Sequence, residues 1–166
     1  MFTDKIEAKL RPNIGKKQYH LLTKELVNVK NYGGNFDLEN AIKFTLSFLK
    51  EKALVIIVSD FLGMDEKWYE YVKLLKSKFE IIGVMIKDPR DRELPKNAGQ
   101  YVLQNPYTDE KIYIDSSQYC KIYKDQVKKD EEIIKKKFSL LESNMLILQT
   151  DEPFVKKLLK FTQEKR

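Results

Sequence analysis

The stretch ALVIIVSDFLG, residues 53–63, decides the fold class. Residues 53–58 carry no polar side chain, which is typical of a β-strand that is covered on both faces. The apolar run stops at Ser59 and Asp60, and a helix-starting pattern follows at Asp65. A buried strand that ends on a carboxylate raises the question of whether Asp60 has a chemical role.

The segments on either side repeat this alternation of strands and helices. Further strands are predicted at residues 2–10, 80–86 and 145–149, and a hairpin is predicted from residues 101–103 and 111–114. Amphipathic helices are predicted at residues 16–30, 38–49, 65–79 and 116–141, and from residues 150–153 onward. The order indicates an α/β protein with a doubly wound, mostly parallel sheet, helices on both faces and a small β-hairpin insertion.

Length and composition indicate one soluble globular domain over residues 1–166. Hydrophobic residues make up 42% of the chain and charged residues 34%. No apolar run approaches the roughly 20 residues that cross a bilayer. The opening MFTDKIEAKLRP carries acids and lacks the long apolar core of a secretory signal. We therefore expect a cytoplasmic chain with no membrane contact.

Residue counts exclude several kinds of site. Cys120 is the only cysteine and His20 the only histidine, so neither an internal disulfide nor a conventional Cys- or His-rich zinc site is possible within one chain. The net charge of +6 comes mainly from lysines spread along the predicted helices. A solvated surface explains this charge better than nucleic-acid binding, which we keep as a third and weak alternative.

Several short motifs occur in a characteristic order. They are SDF after the strand at 53–58, DP followed by ELP and a glycine after the strand at 80–86, the hairpin turn NPYTDE, then IYIDSS, and a last strand followed by Thr-Asp and a helix. Over residues 33–161 this series resembles the family called domain of unknown function fifty-eight, whose members are related to the von Willebrand factor type A domain. The segment MFTDKIEAKLRP is similar to the strand and turn just upstream in that family.

The resemblance implies a degenerate metal-ion-dependent adhesion site. In the type A fold such a site takes oxygen ligands for Mg²⁺ from three loops. Ser59 and Asp60 match the third loop, and the second falls at Asn35, Phe36 and Asp37, where the family often has Gly-Thr-Asp. Phenylalanine cannot ligate a metal, and the D-x-S-x-S loop is absent. We therefore expect no bound cofactor, and Mg²⁺ only if a missing N-terminal segment is supplied.

The same resemblance implies a type A domain that is truncated at its N-terminus. In that case residues 2–10 form an edge strand or a poorly ordered one. An open sheet edge exposes unpaired backbone groups and invites pairing with another chain. We therefore expect a homodimer through this edge.

Two interpretations of Asp60 are open. It is either a loop residue whose carboxylate accepts backbone N–H groups, or a ligand for a metal or partner. We expect Asp60 to accept hydrogen bonds from its own loop or from residues 33–35, and to hold no divalent ion.

Other polar and aromatic residues have two interpretations each. Asp88, Arg90 and Asp91 form either a turn held by local hydrogen bonds or a contact for a polar partner. Tyr69 and Tyr71 are candidates for an exposed interface. The string at Asp115 is expected to cap a helix.

Taken together, these patterns predict a non-enzymatic protein–protein interaction module. The family resemblance implies a MoxR-type AAA+ ATPase as partner and a role in assembling or maturing other proteins. The alternative is a metal-dependent enzyme or hydrolase that uses Asp60 with Asp88 or Asp115. The absence of a nucleophile–base pair and of a glycine-rich phosphate loop stands against it.

Overall fold

The computed structural model describes residues 1–94, 99–104 and 110–163. These ranges hold five α-helices, which are α1 (Lys16–Leu26), α2 (Leu38–Phe48), α3 (Trp68–Lys76), α4 (Ser116–Leu140) and α5 (Phe154–Gln163). They also hold five strands, which are β1 (Leu54–Ser59), β2 (Glu80–Lys87), β3 (Gln100–Gln104), β4 (Lys111–Asp115) and β5 (Asn144–Gln149). Two short 3-10 helices lie at Val29–Asn31 and Pro89–Asp91.

The main sheet is parallel and has the strand order β1-β2-β5. Ile57 of β1 pairs in register with Gly83 of β2, and Met85 of β2 pairs with Ile147 of β5. Strands β3 and β4 form a separate antiparallel pair. The predicted mixed α/β fold, its parallel sheet and the hairpin are thus confirmed. Residues 105–109 of the predicted NPYTDE turn, and the proline of the ELP motif, lie outside the described residues.

The chain divides into two compact units. The first consists of Met1–Lys52 and Gly63–Lys78, and the second of Ala53–Leu62 and Phe79–Arg166. In the first unit α2 packs on α3, and their buried residues are Leu38, Ala41, Ile42, Trp68, Val72 and Leu75. The single domain over residues 1–166, and the helices on both faces of the sheet, stay predictions.

A close contact between a glycine and a ring organises the core of the second unit. Gly83 lies in the middle of β2, and a Cβ atom at this position would come within 2.8 Å of Cε1 of Phe138 in α4. Phe138 is fully buried, as is Met85 on the same face of β2. The sheet therefore approaches α4 closely because residue 83 has no side chain.

The prediction of a strand at residues 2–10 was wrong. Phe2 and Ile6 form only an isolated antiparallel bridge, because the chain reverses between them. The Thr3 N–H donates to the Lys5 carbonyl at 2.9 Å, and the Met1 ammonium donates to the Ala8 carbonyl at 2.8 Å. Polar residues 3–5 favour this local turn over a ladder, so the segment is not an edge of the sheet.

The remaining boundaries differ from prediction by a few residues. Helix α1 ends at Leu26 rather than residue 30, since Asn28 caps a separate 3-10 turn through its side chain. Strand β1 begins and ends one residue later than predicted. Within the described ranges, no helix has both the length and the apolar content needed to span a bilayer.

Candidate functional site

Ser59 and Asp60 end β1 and build a tight loop with their side chains. Ser59 Oγ accepts a hydrogen bond from the Phe61 N–H at 3.0 Å, and Asp60 Oδ1 accepts one from the Leu62 N–H at 3.0 Å. These bonds hold Phe61 at a φ of 56°, where a non-glycine residue is uncommon. The expectation that Asp60 accepts a hydrogen bond from its own loop is confirmed.

The ring of Phe61 explains why this backbone conformation persists. Phe61 is buried and meets Phe138 edge-on, with 5.7 Å between the ring centroids. Such edge-to-face pairs are favourable and add to the gain from burying the ring. The loop after β1 is thus anchored to α4 through an aromatic contact, and Asp60 remains exposed next to it.

Asp88 and Asp91 hold the loop that follows β2. Asp88 Oδ1 accepts from the Arg90 N–H at 2.9 Å, and Asp91 Oδ2 accepts from the Asp88 N–H at 3.0 Å. The hydroxyl of Thr150, just after β5, donates to Asp88 Oδ2 at 3.1 Å. The Arg90 N–H and then the Thr150 hydroxyl lower the pKa of Asp88. The predicted turn held by local hydrogen bonds is therefore present.

Lys87, the last residue of β2, was not among the predicted site residues. Only 3% of its surface is exposed, although it is a lysine. Burial lowers the pKa of the Lys87 ammonium, and the charges of Asp60, Asp91 and Glu131 oppose that shift. The signal was present in the sequence, because Lys87 continues the every-second-residue pattern of buried Ile81 and Met85.

A cleft of about 870 Å³ lies beside the loops that follow β2 and β5. Its charged lining consists of Arg90, Arg92, Lys124, Lys128, Glu93, Glu131, Asp151 and Glu152. Arg92 Nε and Nη2 donate to the two carboxylate oxygens of Glu131 at 2.8 Å each, an arrangement that fixes both side chains. The surface therefore alternates in sign and is partly rigid, which suits a polar partner better than a poly-anion.

In the first unit Asp37 caps α2, as predicted. Its Oδ1 accepts from the Asn40 N–H at 2.8 Å, and the Asn40 side chain donates to the Asp4 carbonyl at 3.0 Å. Phe36 packs on Phe2 with 5.8 Å between ring centroids. A smaller cavity of about 350 Å³ in this unit is lined by Asp4, Asn35, Phe36, Asp37, Leu38, Glu39, Gly63 and Asp65.

Tyr71 links α3 to α2 within the first unit. Its hydroxyl donates to Glu39 Oε2 at 2.8 Å, and Glu39 also pairs with Lys43. The bond to Glu39 is the main cause that raises the pKa of Tyr71 to about 12. Tyr69 meets Trp68 edge-on at 6.0 Å, and both tyrosines are half-buried rather than exposed. Their place in an interface stays a prediction.

The acidic residues named as metal candidates lie in separate loops or strand ends, and the expectation that no divalent ion is bound stays a prediction. In residues 1–94, 99–104 and 110–163, no group of three or more His, Cys, Asp or Glu side chains is arranged to hold a metal ion. Asp60 and Asp88 both use carboxylate oxygens to bind backbone N–H groups. Asp115 belongs to the end of β4, in the antiparallel pair of strands.

Comparisons with known proteins identify relatives of unknown activity. The family model described as "Protein of unknown function DUF58" matches residues 1–133. The uncharacterized proteins Rv1480 of Mycobacterium tuberculosis and Mb1516 of Mycobacterium bovis are each 28% identical over 93 residues, which is 55% of this chain and 29% of each relative. The uncharacterized protein MAV169 of Mycobacterium avium is 33% identical over 72 residues, which is 43% of this chain and 41% of the relative. The matched region thus covers less than half of the length of these curated relatives.

A comparison with solved structures gave one alignment over most of the chain. The crystal structure of the conserved hypothetical protein BatB from Bacteroides thetaiotaomicron aligns over 89% of this chain and 68% of that one. The identity is 9% and the TM-score is 0.47.

Proposed function

This chain belongs to the DUF58 family of proteins of unknown function, and we propose that it is a non-enzymatic protein–protein interaction module of the von Willebrand factor A type. In this proposal the metal-ion-dependent adhesion site is degenerate and no cofactor is needed. The proposed partner is a MoxR-type AAA+ ATPase, and the proposed role is the assembly or maturation of other proteins.

One observation carries the proposal. The carboxylates that follow β1 and β2, Asp60 and Asp88, accept hydrogen bonds from backbone N–H groups of their own loops at 3.0 and 2.9 Å. The bonds from the Arg90 N–H and the Thr150 hydroxyl lower the pKa of Asp88. A general acid or base works best with a pKa near the working pH. The lowered pKa of Asp88 and the hydrogen bond that Asp60 accepts from the Leu62 N–H support a structural use of these groups and a binding role for the surface around them.

The mixed-charge cleft supports a protein as the partner. Arg90 lines the cleft and is exposed, and the paired Arg92 and Glu131 present a fixed pattern of both signs. Complementary charge patterns of this kind give specificity and steer encounter between proteins. The identity of the partner as an AAA+ ATPase rests on the family resemblance, whereas the location of the contact rests on this cleft.

Binding of a MoxR-type ATPase from the same genome tests the proposal. We expect saturable binding by titration calorimetry, and we expect Arg90→Glu to weaken it by about tenfold, a change of about 1.4 kcal/mol. The matched control is Arg11→Glu, which makes the same charge change at an exposed site in the first unit. Absence of binding by the native chain, or equal losses in both variants, would overturn the proposal.

A further inference from the structure

The charges that line the cleft beside the loops after β2 and β5 divide into paired and unpaired groups. Arg92 pairs with Glu131, and Lys124 pairs with Glu93. A cation that already faces a carboxylate contributes little to ligand binding, because the ligand would have to replace that carboxylate. The charge preference of the cleft therefore depends on the groups that remain unpaired.

The unpaired charge of the cleft is net positive. Within the part of the chain that the structure describes, no ion pair or hydrogen bond engages the side chains of Arg90, Lys128 or Asp151. The remaining carboxylate of the lining, Glu152, pairs with Lys157. Two unpaired cations and one unpaired carboxylate thus line the cleft.

Apolar side chains share the lining with these charges. Pro89, Leu94 and Val127 line the same cleft, and Leu94 is buried whereas the other two are half-buried. The volume of about 870 Å³ lies in the range of about 300–1,000 Å³ that is typical of ligand pockets. A space of this size admits a few residues of an extended peptide, and it does not admit a folded domain.

Hydrogen bonds hold the walls of the cleft in place. Arg92 Nη1 donates to the side-chain carbonyl of Gln149 at 2.8 Å, and the Gln149 amide donates to Glu152 Oε1 at 2.7 Å. These bonds join the loop after β2 to the end of β5, and the bonds from Arg92 to Glu131 join the same loop to α4. A site that is ordered before binding loses less conformational entropy when a ligand enters.

We propose that this cleft binds a short segment of a partner protein in which a carboxylate lies next to an apolar side chain. Arg90 and Lys128 bind the carboxylate, and Leu94 and Val127 contact the apolar side chain. A guanidinium suits this role because its fork of N–H donors matches the geometry of a carboxylate. The inference deepens the proposed function and rests on it for the location of the contact.

The same lining disfavours a nucleic acid as the ligand. Four carboxylates line the cleft, and the closely spaced phosphates of a nucleic acid would approach them. A peptide segment with one or two acidic residues avoids this repulsion, because it places a negative charge only beside the unpaired cations.

Synthetic peptides test the ligand class on the full chain without the ATPase. The probe is acetyl-Gly-Gly-Asp-Leu-Asp-Gly-Gly-amide, and two matched probes carry either Asn or Lys in place of both Asp residues. NMR titration of the isotope-labelled chain measures the dissociation constants and locates the contact. We expect the acidic probe to shift the amide signals of Arg90, Leu94 and Lys128, and to bind about tenfold more tightly than the Asn probe.

Charge variants of the chain test the assignment to these residues. Lys128→Glu should weaken binding of the acidic probe by about tenfold, and Asp151→Asn should strengthen it by about twofold because it removes a like charge. The matched control is Lys129→Glu, since Lys129 is the next residue of α4, is exposed and lies outside the lining. It should change binding by less than about twofold. Circular dichroism checks that the variants fold.

The outcomes separate this inference from the proposed function. Absence of shifts at millimolar acidic probe, equal or tighter binding of the Lys probe, or equal losses in Lys128→Glu and Lys129→Glu would overturn the inference. A chain that binds the ATPase but shows no preference for the acidic probe would overturn the inference alone. A chain that binds the acidic probe in the cleft but does not bind the ATPase would support the ligand class and overturn the proposed partner.

Discussion

Strands β1 and β2 are similar in composition and different in surroundings. β2 lies between β1 and β5, and its residues Ile81 and Met85 are 1% and 0% exposed. Among the strands that the structure describes, β1 pairs with β2 alone, and Leu54, Ile56 and Val58 on one of its faces are more than half exposed. An apolar run in the sequence therefore predicts a strand of the main sheet, but it does not predict how many other strands pair with it.

Because of this difference, we expect equivalent substitutions in the two strands to change the free energy of unfolding by different amounts. Removing a side chain from the centre of the sheet leaves a cavity, whereas removing one from β1 leaves an already solvated surface. Four variants or titrations test this contrast between the two strands and between the loops that end them.

The largest effect is expected for Met85→Ala in β2. Because Met85 is fully buried, its truncation should lower the free energy of unfolding by about 2–5 kcal/mol. Ile56→Ala in β1 is the control, and it should cost about 1 kcal/mol because half of the side chain is already exposed. Urea unfolding at low protein concentration measures both. Equal losses would contradict the contrast.

A smaller effect is expected for Gly83→Ala. The added Cβ would lie 2.8 Å from Phe138 Cε1, and such overpacking costs about 1–3 kcal/mol. In a Phe138→Leu background the ring is absent, so the same substitution should cost less. A double-mutant cycle by urea unfolding measures the coupling. Additive losses would show that the ring is not the cause.

Strand β2 ends on a buried lysine, Lys87. The substitution Lys87→Met tests how much the buried charge costs in stability. Since burial lowers the pKa of Lys87, the charged ammonium destabilises the folded state. We expect Lys87→Met to raise the free energy of unfolding at neutral pH.

The pH dependence of stability is a second test of whether the Lys87 charge destabilises the folded state. Between the lowered pKa of folded Lys87 and the unfolded value of about 10.4, the unfolded chain binds more protons. The native chain should therefore gain stability in that window as the pH rises, and its deficit relative to Lys87→Met should shrink there. Lys78→Met, at an exposed lysine, is the control and should show no such convergence. A constant deficit across this window would contradict the prediction.

The smallest effect is expected for divalent ions at the end of β1. One oxygen of Asp60 already accepts a backbone N–H, and Mg²⁺ requires a nearly complete octahedral shell of oxygens. We expect titration calorimetry with Mg²⁺ and Mn²⁺ to give no binding heat for the native chain, Asp60→Ala or Asp88→Ala. Micromolar binding that Asp60→Ala abolishes would revive the metal-dependent interpretation.

Features set by local chemistry followed directly from the sequence. The cap at Asp37, the buried run of β2 and the β3–β4 hairpin depend on residues close together in the chain. Lys87 was also accessible to this reasoning, since alternation alone places it on the buried face.

Features set by distant contacts did not follow from the sequence. The Tyr71–Glu39 bond joins residues 32 positions apart, and the Arg92–Glu131 pair joins residues 39 positions apart. Neither pair has a local pattern. At residues 2–10 the local pattern predicted the wrong structure. The imperfect alternation of apolar residues indicated a strand, whereas the chain reverses through Asp4.

The close contact between Gly83 and the Phe138 ring constrains the position of α4 along its own axis. This helix has 25 residues and is about 37 Å long, so a shift by one turn would move every side chain by about 5.4 Å. Phe138 presents a flat ring to Gly83, whereas a shift by one turn would bring the β-branched side chain of Ile134 there instead. Glu131 lies two turns before Phe138 on the same helix. The contact at Gly83 therefore also constrains the position of the Glu131 carboxylate, which accepts hydrogen bonds from Arg92.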